Sequence, residues 1–338
     1  MSHKTPGWWY KDAGVASLLL SPVSSLYGLA VRYRWQVTEP YNTDIPVICI
    51  GNFTMGGAGK TPAAIYLAEL LKELGERPVF LTRGYGGQIR GPHLVDLTID
   101  KSVDVGDEPL LLARTAPTLV SADRPEGARF LSASETLSPT VIIMDDGFQN
   151  PRLKKDLNII VVDGERGIGN GKIFPAGPLR ENIGSQIKRA DIIITIGGNK
   201  NFEATGNKAL NIKGSISPKM NSEQGNEWQG KSVIAYSGIA SPAKFYKTLR
   251  DLGAQTLKTF DFPDHHPFTA NDADQLLKEA EKSNVQLVTT EKDLVRLDST
   301  LSPFSELKEK SKALPIELKL EHQEKEQLLA LVSDVLKR

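Results

Sequence analysis

Short, continuous apolar blocks recur along the chain, separated by turns rich in glycine and acidic residues. Ile45–Ile50, Pro78–Thr82, Thr118–Val120, Thr140–Met144, Asn158–Val162 and Ala190–Ile196 read as strands. None alternates apolar with polar, so each is expected to be buried on both faces. Helices are expected between them at Thr61–Leu74, Pro109–Ala113 and Pro125–Ser134. This strand–helix alternation predicts an α/β fold with a mostly parallel sheet covered on both sides. Asn199–Gly230 has little apolar content beyond Ile212 and Ile216 and reads as an irregular excursion or bridge. A second alternating unit follows, with strands at Ser232–Ser237 and Val285–Thr289 and helices at Pro242–Leu252 and near Asn271–Glu281. Glu321–Leu336 closes the chain as a helix. The expected division is an apolar leader at 1–35, a first α/β unit at 36–155 and a second, smaller α/β unit at 156–319. The terminal helix, within 320–338, is free to pack back on the first unit.

The leader has its own pattern. Ala13–Val31 carries no charge, and as a helix it would reach roughly 28 Å, close to the hydrocarbon thickness of a bilayer. Trp8, Trp9, Tyr10 and Trp35 flank it, with Lys11 before and Arg32 and Arg34 after, as interfacial anchors would. Pro22 and four serines dilute the apolarity. A helix that spans or lies on a membrane, a helix docked in the protein's own core and a cleaved signal all remain open. The last lacks a small-x-small cleavage site.

Composition narrows the classes. The 338 residues suggest about two domains. The 41 basic residues balance 41 acidic ones, which gives no sign of a nucleic-acid partner. Cys49 is the single cysteine, so no intrachain disulfide forms.

The chemistry sits in the turns. Gly51-Asn52-Phe53-Thr54-Met55-Gly56-Gly57-Ala58-Gly59-Lys60-Thr61 follows a strand and opens a helix, the context in which backbone N–H groups cradle a triphosphate. Residues 54–61 are the expected nucleotide loop: Thr54, Met55, Gly56, Gly57, Ala58, Gly59, Lys60 and Thr61. Lys60 would neutralise the β- and γ-phosphates and Thr61 would offer its hydroxyl to Mg²⁺. The usual pattern wants glycine at 54, where this chain has threonine. Asp145-Asp146-Gly147-Phe148-Gln149 follows another strand and suits a Mg²⁺ site, with one carboxylate facing the metal and the other turned elsewhere. Asp107, just before Glu108-Pro109, either caps a helix or manages the proton of an incoming hydroxyl. Arg83 and Arg124 each follow a strand and could clamp a phosphate. His265-His266 is the one adjoining pair among five histidines, with no zinc-like spacing elsewhere.

Seven ordered segments together resemble the tetraacyldisaccharide 4'-kinase family of lipid A biosynthesis. Besides the glycine loop through Pro62, they are Leu81–Gly86, Val105–Pro109, Asp145–Gln149, Phe174–Glu181, Phe262–His266 and Thr289–Asp293. The family tolerates threonine at position 54, and it commonly has histidine where this chain has Asn150. The resemblance implies a P-loop NTPase-like domain joined by a two-stranded linker to a smaller α/β domain, with an N-terminal membrane helix and the active site in the cleft. It implies transfer of the γ-phosphate of ATP, with Mg²⁺, to the 4'-hydroxyl of a tetraacylated glucosamine disaccharide 1-phosphate. The partners implied are that lipid and the cytoplasmic face of the inner membrane, with no obligate protein. Asp107 looks like the catalytic aspartate, supported by His265; Lys60 and Asp146 join them, and Asp145 and Asp146 look like the metal pair. Arg83, Asn150 and Arg180 are substrate-binding candidates. Rival classes fare worse: a GTPase would want Asn-Lys-x-Asp, and Asn199-Lys200-Asn201-Phe202 lacks the carboxylate. A phosphoesterase built on Asp264-His265-His266 would leave the glycine loop unused. A P-loop ATPase scaffold is separated by whether a lipid becomes phosphorylated.

Overall fold

Alternate residues of the apolar blocks enter two different cores. Ile48, Ile50, Val141 and Ile143 face one side of a sheet, while Val47, Cys49, Ile142 and Met144 face the other. That is why these strands show no polar alternation. The computed structural model describes residues 6–12, 14–198, 208–219, 227–297 and 301–337.

The first half of the chain runs α1 (Val15–Val37), β1 (Val47–Gly51), α2 (Lys60–Glu73), β2 (Pro78–Thr82), β3 (His93–Leu94), α3 (Ser102–Val105) and α4 (Asp107–Ala113). It continues through β4 (Thr118–Val120), α5 (Arg124–Ser132), β5 (Val141–Asp145), β6 (Leu157–Asp163), α6 (Ile183–Arg189), β7 (Ile192–Ile196) and β8 (Leu210–Pro218). Then come β9 (Ser232–Ser237), α7 (Pro242–Asp251), β10 (Gln255–Asp261), α8 (Ala270–Ser283), β11 (Gln286–Thr290) and α9 (Glu291–Val295). The chain ends with α10 (Phe304–Lys310), β12 (Ser311–Leu314), β13 (Ile316–Leu320) and α11 (His322–Leu336).

Two sheets result. The larger has the order β13-β8-β7-β6-β1-β5-β2-β4-β3, parallel except for β3 and β13 at its edges. The smaller, β10-β9-β11-β12, is wholly parallel. This corrects the expected division at residue 156. β6 pairs in parallel with β1, Ile48 opposite Leu157, and β7 and β8 extend the same ladder. These apolar strands complete a sheet already begun, so the smaller unit starts only near β9. The polar stretch read as irregular contains β8, while 199–207 and 220–226 lie outside the described residues. β8 and β13 pair antiparallel at the sheet edge, next to the two crossings of the chain between the sheets. Helix α11 packs Leu328, Val332 and Val335 onto the larger sheet's core.

Helix α1 is long and apolar enough, by length and composition, to cross a membrane. It has two faces. On one, Ser17 Oγ donates to the Ala176 carbonyl at 2.9 Å, and Ser24 Oγ donates to the Ile173 carbonyl at 2.9 Å. A Cβ at Gly28 would meet Ile173 Cδ1 at 3.1 Å, so small residues let the helix approach the 173–176 loop closely. On the other face Val15, Leu18, Leu19, Val23, Leu26 and Leu29 are 53–74% exposed.

Candidate active site

The glycine loop leaves the carboxyl end of β1, between β5 and β6, where open parallel sheets bind ligands. Its glycines answer to crowding. A Cβ at Gly51 would lie 2.4 Å from Phe148 Cβ, and Gly59, at φ +86°, would place one 2.7 Å from Ile196 Cδ1. Gly59 turns the chain directly into α2, whose free N–H groups and positive helix end face the loop. The loop is braced from outside: Met55 N–H donates to the Pro178 carbonyl at 2.8 Å, and Thr54 bridges to Leu179. Residues 55–61 line a cleft of about 1330 Å³ between the two sheets. Thr54, expected with them, is not on the cleft wall, and its backbone forms that bridge.

Asp145 and Asp146 diverge, as adjacent side chains at a strand end should. Asp145 is buried; its Oδ2 accepts from Thr82 Oγ1 at 3.5 Å, and its Oδ1 has no hydrogen-bond partner. Burial, then the charges of Glu108 and Asp146, push its carboxyl up to about 7. Asp146 sits in the left-handed region at φ +47°, which swings it into the cleft. There it meets Lys60 Nζ at 3.6 Å and accepts from Arg180 Nη1 and Nη2, each at 3.2 Å. Burial alone would raise the Asp146 carboxyl; Lys60 and Arg180 outweigh it and hold the group well below the ordinary range.

Across the cleft, Asp107 opens α4 and meets His265 from the loop after β10. His265 Nδ1 lies 3.1 Å from Asp107 Oδ2. Arg296 Nε donates to the same oxygen at 2.9 Å, and the Glu108 N–H donates to Oδ1 at 3.0 Å. Burial raises the Asp107 carboxyl, but the His265 hydrogen bond and the charges of Arg296 and Lys292 more than reverse this and keep it firmly anionic. The hydrogen bond to Asp107 raises His265, against burial. Exposure separates the two: Asp107 is 5% exposed and lies behind the cleft wall, whereas the His265 side chain is 34% exposed and lines the cleft. Asp107 is thus the more enclosed and the more firmly charged of the pair, and His265 the more open to the cleft. His265 holds φ +56°, a second strained residue at the site. His266 faces away, stacked on Phe262 and 3.0 Å from Asp272 Oδ2.

The remaining expected residues separate cleanly. Arg83 is exposed and lines the cleft. Arg180 lines it too, but is already paired with Asp146 and donates to the Thr54 carbonyl at 3.3 Å. Asn150 lies off the cleft wall. Its Oδ1 accepts the Arg152 N–H at 2.8 Å, because the turn at Gly147–Asn150 carries the chain away from the acidic pair. Arg124 is 3% exposed and donates to the Ser121 carbonyl at 2.6 Å and the Asp145 carbonyl at 3.3 Å, which makes it a brace under the acidic strand. Three groups went unread in the sequence: Glu108, Lys292 and Arg296. Lys292 Nζ lies 2.6 Å from Glu108 Oε1, and Arg296 pairs with Asp293 Oδ1 at 2.8 Å as well as with Asp107. The Asp293/Arg296 spacing of three residues was the available signal.

A family model described as LpxK, tetraacyldisaccharide-1-P 4'-kinase, matches residues 16–335. The tetraacyldisaccharide 4'-kinase of Bradyrhizobium diazoefficiens is 41% identical over 334 residues, covering 98% of this chain and 96% of that protein. The tetraacyldisaccharide 4'-kinase of Paramagnetospirillum magneticum is 46% identical over 298 residues, covering 88% and 90%. A crystal structure described as the "apo" form of LpxK from Aquifex aeolicus in complex with ATP superposes with a TM-score of 0.74 at 28% identity, over 95% of this chain and 99% of that one.

Proposed function

The chain belongs to the tetraacyldisaccharide-1-P 4'-kinase family, and from that membership we infer how its cleft moves the γ-phosphate of ATP to the 4'-hydroxyl of tetraacyldisaccharide 1-phosphate, forming lipid IVA. The observation that carries the reading is the facing of two halves across one cleft: the glycine loop with Lys60 and Asp146 on the larger sheet, and His265 from the smaller unit.

The glycine loop, a P-loop in this reading, holds the triphosphate through backbone N–H groups at the start of α2. Lys60 leaves its contact with Asp146 to meet the β- and γ-phosphates. Mg²⁺ fits the acidic pair. Asp145 Oδ1 is a buried acceptor without a partner, and Thr61 and Asp146 lie on the cleft wall. Among the described residues no cluster of three or more His, Cys, Asp or Glu could hold a metal unaided. This suits a cation that takes one or two carboxylates and completes its shell with phosphate and water. When bound, Mg²⁺ neutralises charge on the phosphates.

On the acceptor side His265 takes the hydroxyl proton at Nε2 as oxygen attacks phosphorus. Asp107 holds Nδ1, fixing the tautomer and stabilising the imidazolium that forms. Arg83 contributes positive charge for the phosphorylated lipid. Helix α1 lies in the interface of the inner membrane at its cytoplasmic face rather than crossing it, since one face is docked on the 173–176 loop and the other is open to lipid. A lipid with four acyl chains leaves a bilayer only at about 0.8 kcal/mol per exposed CH₂, so a cleft held at the interface avoids that extraction.

Lys60→Ala tests the nucleotide half. Transfer should fall by about 10²-fold or more with folding retained. Near-normal transfer by a folded Lys60→Ala protein would contradict it.

A further inference from the structure

The last turn of α1 does more than present an apolar face. Trp35 Nε1 donates to Glu181 Oε1 at 3.0 Å, and Glu181 is 4% exposed. The other oxygen of that carboxylate pairs with Arg189 at the end of α6. The Arg189 guanidinium lies 3.9 Å from the centre of the Trp35 ring and 4.8 Å from that of Phe148. Phe148 follows the acidic pair by two residues. Glu181 itself follows Arg180, which grips Asp146 and the Thr54 carbonyl of the glycine loop. Gln186, one turn before Arg189 and fully buried, donates to the Glu181 carbonyl at 2.9 Å and accepts from Gln149 Nε2 at 3.0 Å. Arg180, which grips Asp146 from this side, is next in the chain to Glu181, the Phe148–Gln149 turn rests on Arg189 and Gln186, and Trp35 closes the set.

We propose that Trp35 is a positioning residue: through Glu181 and the Arg189 stack it sets Arg180 and the Phe148–Gln149 turn, and so couples the membrane-facing helix to the nucleotide site. Consecutive side chains point opposite ways here. Arg180 turns into the cleft and Glu181 turns back to α1, so a shift of the helix end reaches Asp146 through one peptide unit. A buried carboxylate with a tryptophan N–H and a guanidinium as partners has a fixed position. Loss of either partner frees it. The inference rests on the glycine loop being the nucleotide site.

The test uses the full-length protein in detergent micelles, with no acceptor present because Trp35 also lines the cleft. Affinity for a non-hydrolysable ATP analogue is measured by calorimetry for wild type, Trp35→Phe, Trp35→Leu and Leu19→Glu, alongside melting temperature and vesicle association. Trp35→Leu, which removes both the N–H and the stack, should weaken nucleotide binding about tenfold with little change in melting temperature. Trp35→Phe keeps a ring over Arg189 and should fall between. Leu19→Glu, on the lipid-facing side, should leave nucleotide affinity at the wild-type value. If Trp35→Leu reduces vesicle association while nucleotide affinity stays at wild type, Trp35 is only an anchor and the coupling is wrong. The coupling is equally wrong if melting temperature and affinity collapse together and Trp35→Phe restores neither. A wild-type protein that fails to bind the analogue removes the nucleotide site first, and this inference with it.

Discussion

Replacing Asp107 by asparagine removes one charge and nearly no volume, so its consequences can be worked out from the contacts it breaks. The first is on stability. The Asp107 and Arg296 side chains are 5% and 6% exposed, and breaking a buried ion pair by neutralising one partner costs about 3–5 kcal/mol. Arg296 keeps Asp293 and the Gly238 carbonyl at 2.7 Å, so the lower end, about 3 kcal/mol, is expected. The second is on chemistry. His265 loses the anion that fixes its tautomer, and a positioned general base is worth about 10²–10⁴-fold in kcat. His265→Ala should lose a similar factor. If the two act as one unit, the double variant is little worse than either alone, a coupling of about 3 kcal/mol in activation free energy. Apparent affinity for ATP should change little, because Asp107 lies behind the opposite wall. The assay is steady-state transfer of labelled phosphate to micellar acceptor for wild type, both single variants and the double, with thermal melts on the same samples. Multiplicative losses in the double variant would refute the pairing. A fully active Asp107→Asn enzyme would remove the residue from the reaction.

Other expectations follow from the same geometry. Because pairing with Asp107 raises His265, their interaction contributes stability that is full below the ordinary histidine range and fades as pH rises through the raised value, while activity rises over that same window as the imidazole becomes free to accept a proton; melting curves and kcat measured together against pH should move in opposite directions, and parallel trends would contradict the assignment. Arg124→Met should destabilise the fold by about 2–4 kcal/mol in chemical denaturation by leaving the Ser121 and Asp145 carbonyls unpaired, with nucleotide affinity largely kept. A selective loss of nucleotide binding there would revive the phosphate-clamp reading. Leu18→Glu with Leu26→Glu should move the protein from the membrane to the soluble fraction on flotation while leaving catalysis on dispersed acceptor intact, and unchanged flotation would count against α1 as the lipid-facing element.

The larger sheet was legible wherever strands are buried on both faces, since uninterrupted apolar blocks such as Val141–Asp145 leave little room for another reading. Strands at or next to the sheet edges were not. In β8 only Ile212 and Ile216 stood out, yet these are the inward positions of a strand whose other face carries Asn211 and Lys213. β10 hides in the same way, with mostly exposed residues, and β13 buries only Leu318. The boundary at residue 156 failed because sequence order does not say which strands share a sheet. The glycine loop and acidic pair were readable from residue types in sequence, whereas the meeting of Asp107 with His265 came from family resemblance. Which of the two faces the cleft needed the structure, because nothing in the letters tells their burial. Trp35 read only as a membrane flank, because its partners Glu181 and Arg189 lie far along the chain and no local spacing links them.

Phosphate transfer to a lipid hydroxyl in this cleft can be measured directly. Incubating the full-length protein with γ-labelled ATP, Mg²⁺ and purified tetraacyldisaccharide 1-phosphate in micelles should move the label onto the lipid, producing a bisphosphorylated product, and His265→Ala should suppress that transfer. Label released only as inorganic phosphate, with the lipid recovered unlabelled, would contradict it.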